Sequence, residues 1–316
     1  MTSEPKTVVV FIAGYARCGS TLLERILGQI DGFKSFGELR HVWFRSFGEN
    51  QLCGCGRPFR DCPFWSEVVQ RAFGGFGNVD FESIDRNKHG VDGFIHIPRI
   101  LTGGWTRTYR RRMDAYLSSL TRLYRAIQEV SGARYLVDAS KDPQHAYILR
   151  AMPSFDVRMV HLIRDSRAVA YSWRRVRPRP EIFWETRLMP RYPAIRTALA
   201  WTATNAGSEV ARRIGMPYVR VRYEDLVRDP RSQVARILDR LALDGGADLG
   251  FLRDGRAELQ PSHTVSGNPM RFASGGVPIR LDDGWLREMR SLDRSVVTAL
   301  TLPRLRRYGY RANGRI

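Results

Sequence analysis

Val8-Val9-Val10-Phe11-Ile12-Ala13-Gly14-Tyr15-Ala16-Arg17-Cys18-Gly19-Ser20-Thr21 decides the fold of this 316-residue chain. The first six residues are a continuous apolar, β-branched-rich run, the pattern of a strand buried on both faces in a parallel sheet. Gly14 to Thr21 breaks that run. From Ser20 onward Leu22, Leu23, Ile26, Leu27 and Ile30 recur at helical spacing. Strand, glycine loop and helix in succession form an anion site, because backbone N–H groups and the helix dipole face whatever lies over the loop.

Outward from this unit the same alternation continues. Residues 109–131 read as a helix with Met113, Tyr116, Leu117, Leu120, Tyr124 and Ile127 in one stripe. Tyr135-Leu136-Val137 is a short strand ending at Ser140-Lys141-Asp142-Pro143, where Asp142 can cap a helix and Pro143 suits its first turn. Val157 to Ile163 is a strand followed by a helix from Ser166. Residues 194–214 read as helix and Tyr218 to Val221 as strand. Asp229-Pro230 opens a helix with Val234, Ile237, Leu238 and Leu241 inward. The expected class is α/β, a central parallel sheet flanked by helices with right-handed crossovers. Residues 31–106 look irregular, with Gly74-Gly75-Phe76-Gly77 and Gly103-Gly104-Trp105 as mobile loops. With no repeat, linker or low-complexity tract, residues 1–316 read as one domain with loose termini at 1–7 and 311–316.

Composition excludes several classes. Hydrophobic residues at 43% and charged residues at 26% are ordinary globular values, which leaves out a disordered chain, a collagen and a disulfide mini-protein. No apolar run approaches the roughly 18 residues of a membrane span. Val8 to Gly14, preceded by Lys6 alone, is too short for a signal peptide. A cytoplasmic protein without integral membrane association is expected. Lys plus Arg is 51 against 32 Asp plus Glu, net +19, which calls for an anionic partner or reflects arginine-rich coding. Only Lys6, Lys34, Lys88 and Lys141 are lysines, so a lysine inside the chemistry is held there by function. A nucleic-acid-binding protein is the reading from charge alone. The arginines are spread instead of clustered, and no zinc-finger, helix-turn-helix or RNA-sheet motif is present, so no nucleic-acid partner is expected. Cys53, Cys55 and Cys62 could hold zinc given a fourth ligand such as His41 or Cys18, or could simply be small residues in a tight turn.

The loop spacing copies the Gly-x4-Gly-Lys-Ser/Thr loop of nucleoside triphosphatases with Ser20 in the lysine position. That lysine reaches the β/γ-phosphates, so a triphosphate is disfavoured and a P-loop kinase or hydrolase becomes the alternative reading. Arg17 within the loop can supply the charge. Arg164 stands at the carboxyl end of a strand, and Ser172 lies two turns into the next helix, so the pair can grip one phosphate. Arg220-Val221-Arg222-Tyr223-Glu224-Asp225-Leu226 and Ser266-Gly267-Asn268-Pro269-Met270-Arg271-Phe272 are two further motifs.

Together, from about Val8 to Trp285, these motifs resemble the sulfotransferases that use 3′-phosphoadenosine 5′-phosphosulfate (PAPS). The likeness is closest to the bacterial and tyrosylprotein/carbohydrate branch, with a P-loop-like fold. Ala16-Arg17-Cys18-Gly19-Ser20-Thr21 resembles the family's Pro-Arg-Ser-Gly-Ser/Thr-Ser/Thr loop, with Ala16 and Cys18 replacing proline and serine. The resemblance implies that Arg17, Cys18, Gly19, Ser20 and Thr21 hold the 5′-phosphosulfate and that Arg164 and Ser172 clamp the 3′-phosphate. It implies that Tyr223 contacts the nucleotide and that Asn268 and Arg271 lie on a loop closing over it. Lys141 resembles the lysine of the tyrosylprotein branch's Lys-Asp-Pro and would touch the transferring group. Glu38, in Phe36-Gly37-Glu38-Leu39, resembles the family's Gly-Glu and is the expected base, its pKa raised towards the working pH by burial. His41, His145 and His263 are rivals. Arg17, Glu38 and Lys141 are thus the expected catalytic set. No metal is demanded, because fixed cations can stabilise the leaving phosphate. Residues 40–108, with 173–195, would form the acceptor wall, and a glycan, a natural-product hydroxyl and a protein tyrosine are all open as acceptor.

Overall fold

A computed structural model describes residues 6–244 and 248–312. Of the expected loose termini, residues 1–5 and 313–316 lie outside the described residues, and Thr7 already belongs to the first strand. Strand β1 (Thr7–Ala13) leads into helix α1 (Ser20–Leu27), and β2 (Phe33–Ser35) follows. Residues 31–106 are less irregular than their glycine content suggests. They contain helices α2 (Pro63–Phe73), α3 (Phe81–Val91) and α4 (Ile97–Thr102). The α2 stripe of Trp65, Val68, Val69, Ala72 and Phe73 is buried at helical spacing. Gly74 and Gly103 are the left-handed residues that end α2 and α4, so glycine here stops short helices.

Helix α5 (Arg107–Ser131) precedes β3 (Tyr135–Lys141), α6 (Pro143–Arg150), β4 (Phe155–Ile163), α7 (Ser166–Arg174), α8 (Ala194–Arg213) and β5 (Tyr218–Arg222). The five strands form one parallel sheet in the order β2-β3-β1-β4-β5. The expected parallel α/β architecture is present. β1 is central, and its side chains alternate between two cores. Val9, Phe11 and Ala13 pack with Trp43, Trp65 and Leu120 on one face. Val10 and Ile12 pack with Leu23, Ile26 and Ile237 on the other. The connection from β1 leads towards β2 on one side, whereas β4 lies on the other side of β1. The carboxyl ends of β1, β3 and β4 therefore flank the crevice where open α/β sheets bind ligands.

Beyond β5 come α9 (Tyr223–Arg228) and α10 (Pro230–Arg240). The antiparallel strands β6 (Leu252–Arg253), β7 (Arg256–Leu259) and β8 (Gly275–Pro278) were not legible as strands, being two to four residues long. They hold both ends of the 260–274 loop. Helices α11 (Trp285–Glu288) and α12 (Ser291–Arg307) follow. Among the described residues, no helix is long and apolar enough to cross a membrane.

Glu24 in α1 is fully buried, and neither carboxyl oxygen has a hydrogen-bond partner among the described residues. Burial pushes its pKa from 4.5 up to about 8. A carboxyl that is neutral when folded and ionised when unfolded makes the fold lose stability as pH rises between those two values. Glu24→Gln keeps the shape without the proton requirement. Its stability in urea should exceed that of the wild type by on the order of 3 kcal/mol near pH 7, with the gap closing as pH falls towards 4.5.

Candidate active site

A cleft of about 460 Å³ opens at the carboxyl end of the sheet. It is lined by Arg17, Gly19, Ser20, Thr21, Glu38, Lys141, Arg164, Ser172, Tyr223 and Asn268, which brings ten of the sequence-nominated residues together. Seven arginine and lysine side chains (Arg17, Arg45, Lys141, Arg164, Arg177, Arg179, Arg280) face four carboxylates (Glu38, Asp142, Glu181, Asp282), so the surface is built for an anion.

The loop after β1 positions the first cation. Arg17 adopts φ 74°, a left-handed conformation uncommon for a residue with a Cβ. Its guanidinium lies 4.6 Å from the centre of the Trp173 ring. Burial first, and Arg177 second, lower its pKa to about 10. Gly19, at φ 94°, is the residue before α1, and a Cβ there would stand 2.4 Å from Tyr223 Cδ2. The loop therefore needs glycine twice over, for its dihedral and to admit the Tyr223 ring. The first N–H groups of α1 have no acceptor within the helix and open on this cleft.

β3 positions the second cation. Its pairing with β1 shifts register, so that Phe11 faces Asp138 but Ala13 faces Lys141, leaving one extra residue in β3. Lys141 takes φ 70°. Its ammonium lies 2.5 Å from Glu38 Oε1 and donates to Ala139 O at 3.1 Å. Glu38 Oε2 is 3.6 Å from His41 Nε2 and 3.8 Å from Arg45 Nη1. The Glu38 pKa departs from the sequence-based expectation. Burial does press it upward, but Lys141, Arg45 and Arg271 outweigh burial and hold it below the usual glutamate value. Glu38 is therefore an ionised carboxylate, able to accept a proton.

Arg164 stacks 4.6 Å from the Tyr223 ring centre, which itself covers Gly19. Arg164 Nη2 donates to Asp282 O at 2.8 Å and pairs with the Asp282 carboxylate at 3.1 Å. Its Nε is buried without a partner among the described residues. Ser172 is buried on α7 and lines the same cleft.

Two nominated residues sit elsewhere. Cys18 is fully buried beneath the loop, in the core with Leu23 and Val160. Arg271 is buried outside the cleft lining, its guanidinium donating to Thr264 O and Leu52 O at 2.6 Å each, so it braces the loop. Of the rival bases, His41 lines the cleft and is held well below its ordinary pKa by burial first, then by Arg45. His145 is fully buried, with Nδ1 2.9 Å from Asp92 Oδ2, and it does not line the cleft. Asp92 in turn binds Arg40, which reaches Asp142 at 3.1 Å, so this network ties residues 40–92 to the end of β3. His263 also lies outside the cleft lining. It, and neither His41 nor Cys18, completes the group of Cys53, Cys55 and Cys62. Sequence reasoning missed Arg45, Asp282 and Arg280 as cleft residues. Asp282 meets Arg164 across a separation of 118 residues, for which no local signal exists.

A parallel α/β sheet with a glycine loop and converging cations at its carboxyl end forms an anion-binding cleft. The chain belongs to the sulfotransferase family, whose model matches residues 10–246. Curated protein sequences yield no match. Among solved structures it is similar to the sulfotransferase domain of the Synechococcus PCC 7002 olefin synthase, at 22% identity over 98% of each chain and TM-score 0.44. It is also similar to sulfotransferase STF9 from Mycobacterium avium, at 14% identity over 99% of this chain and 79% of that one, TM-score 0.47.

Gly19→Ala should cost ~1–3 kcal/mol through the left-handed dihedral and the clash with the ring. Thermal denaturation of Gly19→Ala, Tyr223→Ala and the double variant should show part of that loss recovered when the ring is absent. Full additivity would mean the two residues do not press on each other.

Proposed function

We propose that this chain transfers a sulfuryl group from PAPS to an acceptor hydroxyl by in-line displacement. The observation that carries this reading is the placement of Arg17, Lys141 and Arg164 around one crevice, with serine where a triphosphatase loop has lysine. Arg17 and the N–H groups at the start of α1 would hold the 5′-phosphosulfate. Arg164 and Ser172 would take the 3′-phosphate, with Asp282 yielding the guanidinium to the stronger anion. The ring of Tyr223, already stacked on Arg164, would lie beside the nucleotide.

In the transfer, the acceptor oxygen forms a bond to sulfur as the bond from sulfur to the phosphate oxygen breaks. Glu38 takes the acceptor proton, and adenosine 3′,5′-bisphosphate leaves. The in-line geometry follows by analogy with phosphoryl transfer. Lys141 is a compact ammonium beside Glu38, suited to the bridging oxygen on which charge develops. In the ligand-free arrangement the two are paired. Once Lys141 turns to the phosphosulfate, Glu38 loses its nearest counter-charge and its proton affinity rises as the acceptor arrives. Trp173 and the 267–270 loop narrow the cleft and help exclude water, which would otherwise hydrolyse the donor. The acceptor is a hydroxyl compound reaching Glu38 from the side formed by residues 40–108 and 173–195.

Calorimetric titration with adenosine 3′,5′-bisphosphate, without magnesium, tests the donor. Binding is expected in the wild type, weakened by about tenfold to a hundredfold in Arg164→Ala, since a charged hydrogen bond is worth about 1.5–3 kcal/mol. Silence for the bisphosphate with binding of magnesium–ATP would overturn the proposal in favour of a P-loop kinase or hydrolase.

The pH profile tests the base. Glu38 is depressed, so the acidic limb of kcat/KM should fall below the ordinary glutamate pKa. Arg45→Ala removes a positive charge 3.8 Å from Glu38, which raises that pKa. The limb should move to higher pH by a few tenths of a unit to about one unit. A limb that stays in place would remove Glu38 from the role.

A further inference from the structure

Cys53, Cys55, Cys62 and His263 converge from two distant stretches of sequence. One ligand atom from each lies within 4.8 Å of every other. Cys55 Sγ is 3.7 Å from Cys62 Sγ, and His263 Nδ1 is 3.3 Å from Cys62 Sγ and 3.8 Å from Cys53 Sγ. A tetrahedron with metal–sulfur bonds of roughly 2.3 Å has edges of about 3.8 Å, so these three separations match ligands around one ion and the others exceed that edge by about 1 Å at most. We propose that the four side chains form a closed structural zinc site of the Cys3His type.

The donor set selects the metal. Three thiolates and an imidazole suit zinc, and four protein ligands leave no open position for catalysis. The surrounding chain is shaped to present them. The turn from Cys53 to Cys55 is held by Cys53 N–H to Arg57 O at 2.8 Å and Gly56 N–H to Cys53 O at 2.9 Å. Gly54 is packed so closely that a Cβ would meet Thr264 Oγ1 at 2.4 Å. Cys62 sits at the start of α2. The His263 ring is stacked on Phe64 at 4.8 Å and 11°, and its carbonyl accepts from Trp65 Nε1 at 2.9 Å, so its orientation is set before any metal arrives.

The site joins two segments that the active cleft needs. Gly54 N–H bonds Thr264 O at 2.8 Å, and Val265, two residues past the histidine, exchanges backbone hydrogen bonds with Phe36 and Glu38 at 2.9 and 2.8 Å. Arg271 then spans from Thr264 O to Leu52 O. An ion here would fix residues 49–62 to the stretch that carries Gly267 and Asn268 into the cleft. The role is structural and stands whichever nucleotide the cleft takes.

Metal analysis of the full chain, purified with zinc present and dialysed against a mild chelator, tests this. The expectation is about one zinc per wild-type chain and less than about a fifth of that in Cys55→Ser and in His263→Ala, with Cys18→Ser unchanged. If the ligand variants are insoluble, cobalt titration of demetallated wild type decides. A 1:1 end point with the visible absorption of tetrahedral, thiolate-ligated cobalt supports the site, and octahedral absorption overturns it. Wild type free of metal, zinc retained by both ligand variants, or a Cys55–Cys62 disulfide with no metal would each overturn it.

Discussion

One extra residue in β3 governs the cleft. β1 and β3 run in parallel register until Phe11 and Asp138, after which β3 carries a residue that β1 does not match. The irregularity turns Lys141 into a left-handed conformation, and Gly14 N–H donates to its carbonyl at 3.1 Å. A bulge at a strand end re-aims a side chain that regular pleating would send into the core. Here it delivers an ammonium to Glu38, on the segment after β2. Arg17 reaches the same crevice from β1 by the same means, a positive φ at a residue with a Cβ. Such strain persists only where the surroundings over-determine it, and the buried stretch Val9 to Ala13 of the central strand supplies that rigidity.

Electrostatics then distributes the work. The cleft holds more cations than carboxylates, and each carboxylate occupies a cation: Glu38 with Lys141 and Arg45, Asp282 with Arg164, Glu181 with Arg179, and Asp142 with Arg40 behind the wall. These pairs hold Lys141, Arg45, Arg164 and Arg179 in place, whereas Arg17 rests on the Trp173 ring. An anion entering the cleft would compete with single carboxylates for groups already oriented, which leaves less side-chain ordering for binding to achieve. The buried Glu24, with its raised pKa, lies within the field of Lys141 and Glu38, a further group whose protonation the ammonium influences.

Two contacts of different chemistry tie the segment from residue 40 to 108 to the rest of the molecule, one near the end of β3 and one at the 260–274 loop. On one side Arg40, Asp92 and His145 form a buried polar network, in which Arg40 and His145 overcome burial to hold Asp92 at about 2. On the other, the Cys53–Cys62 turn meets His263 and Thr264. Between them, aromatic packing of Trp43, Phe47, Phe59 and Trp65 supplies the apolar core.

The local pattern of the chain determined much. Six apolar residues before a glycine loop specify a buried parallel strand, and the periodic stripes of residues 109–131 and 229–241 specify their helices, because burial on one or both faces imposes a repeat that a single strand or helix displays. The loop, Glu38, Lys141, Arg164 and Ser172 were legible as residues of one cleft because each stands at a strand end or in a motif of fixed spacing. What was not legible depended on partners far away in sequence. The tiny strands β6 to β8 have no period long enough to read. The strand order 2-3-1-4-5 follows from crossovers, not from any one segment. Arg271 belongs to the loop as its motif suggests, yet its guanidinium turns inward to two carbonyls, because nothing local says which way a side chain on a loop will face. Glu38 sits below and not above its ordinary pKa, since Lys141, Arg45 and Arg271 together outweigh burial, and the Lys141 contact exists only once β3 bulges against the segment after β2. His263 joins three cysteines some 200 residues earlier for the same reason: spacing can nominate ligands within a turn, but only packing brings the fourth.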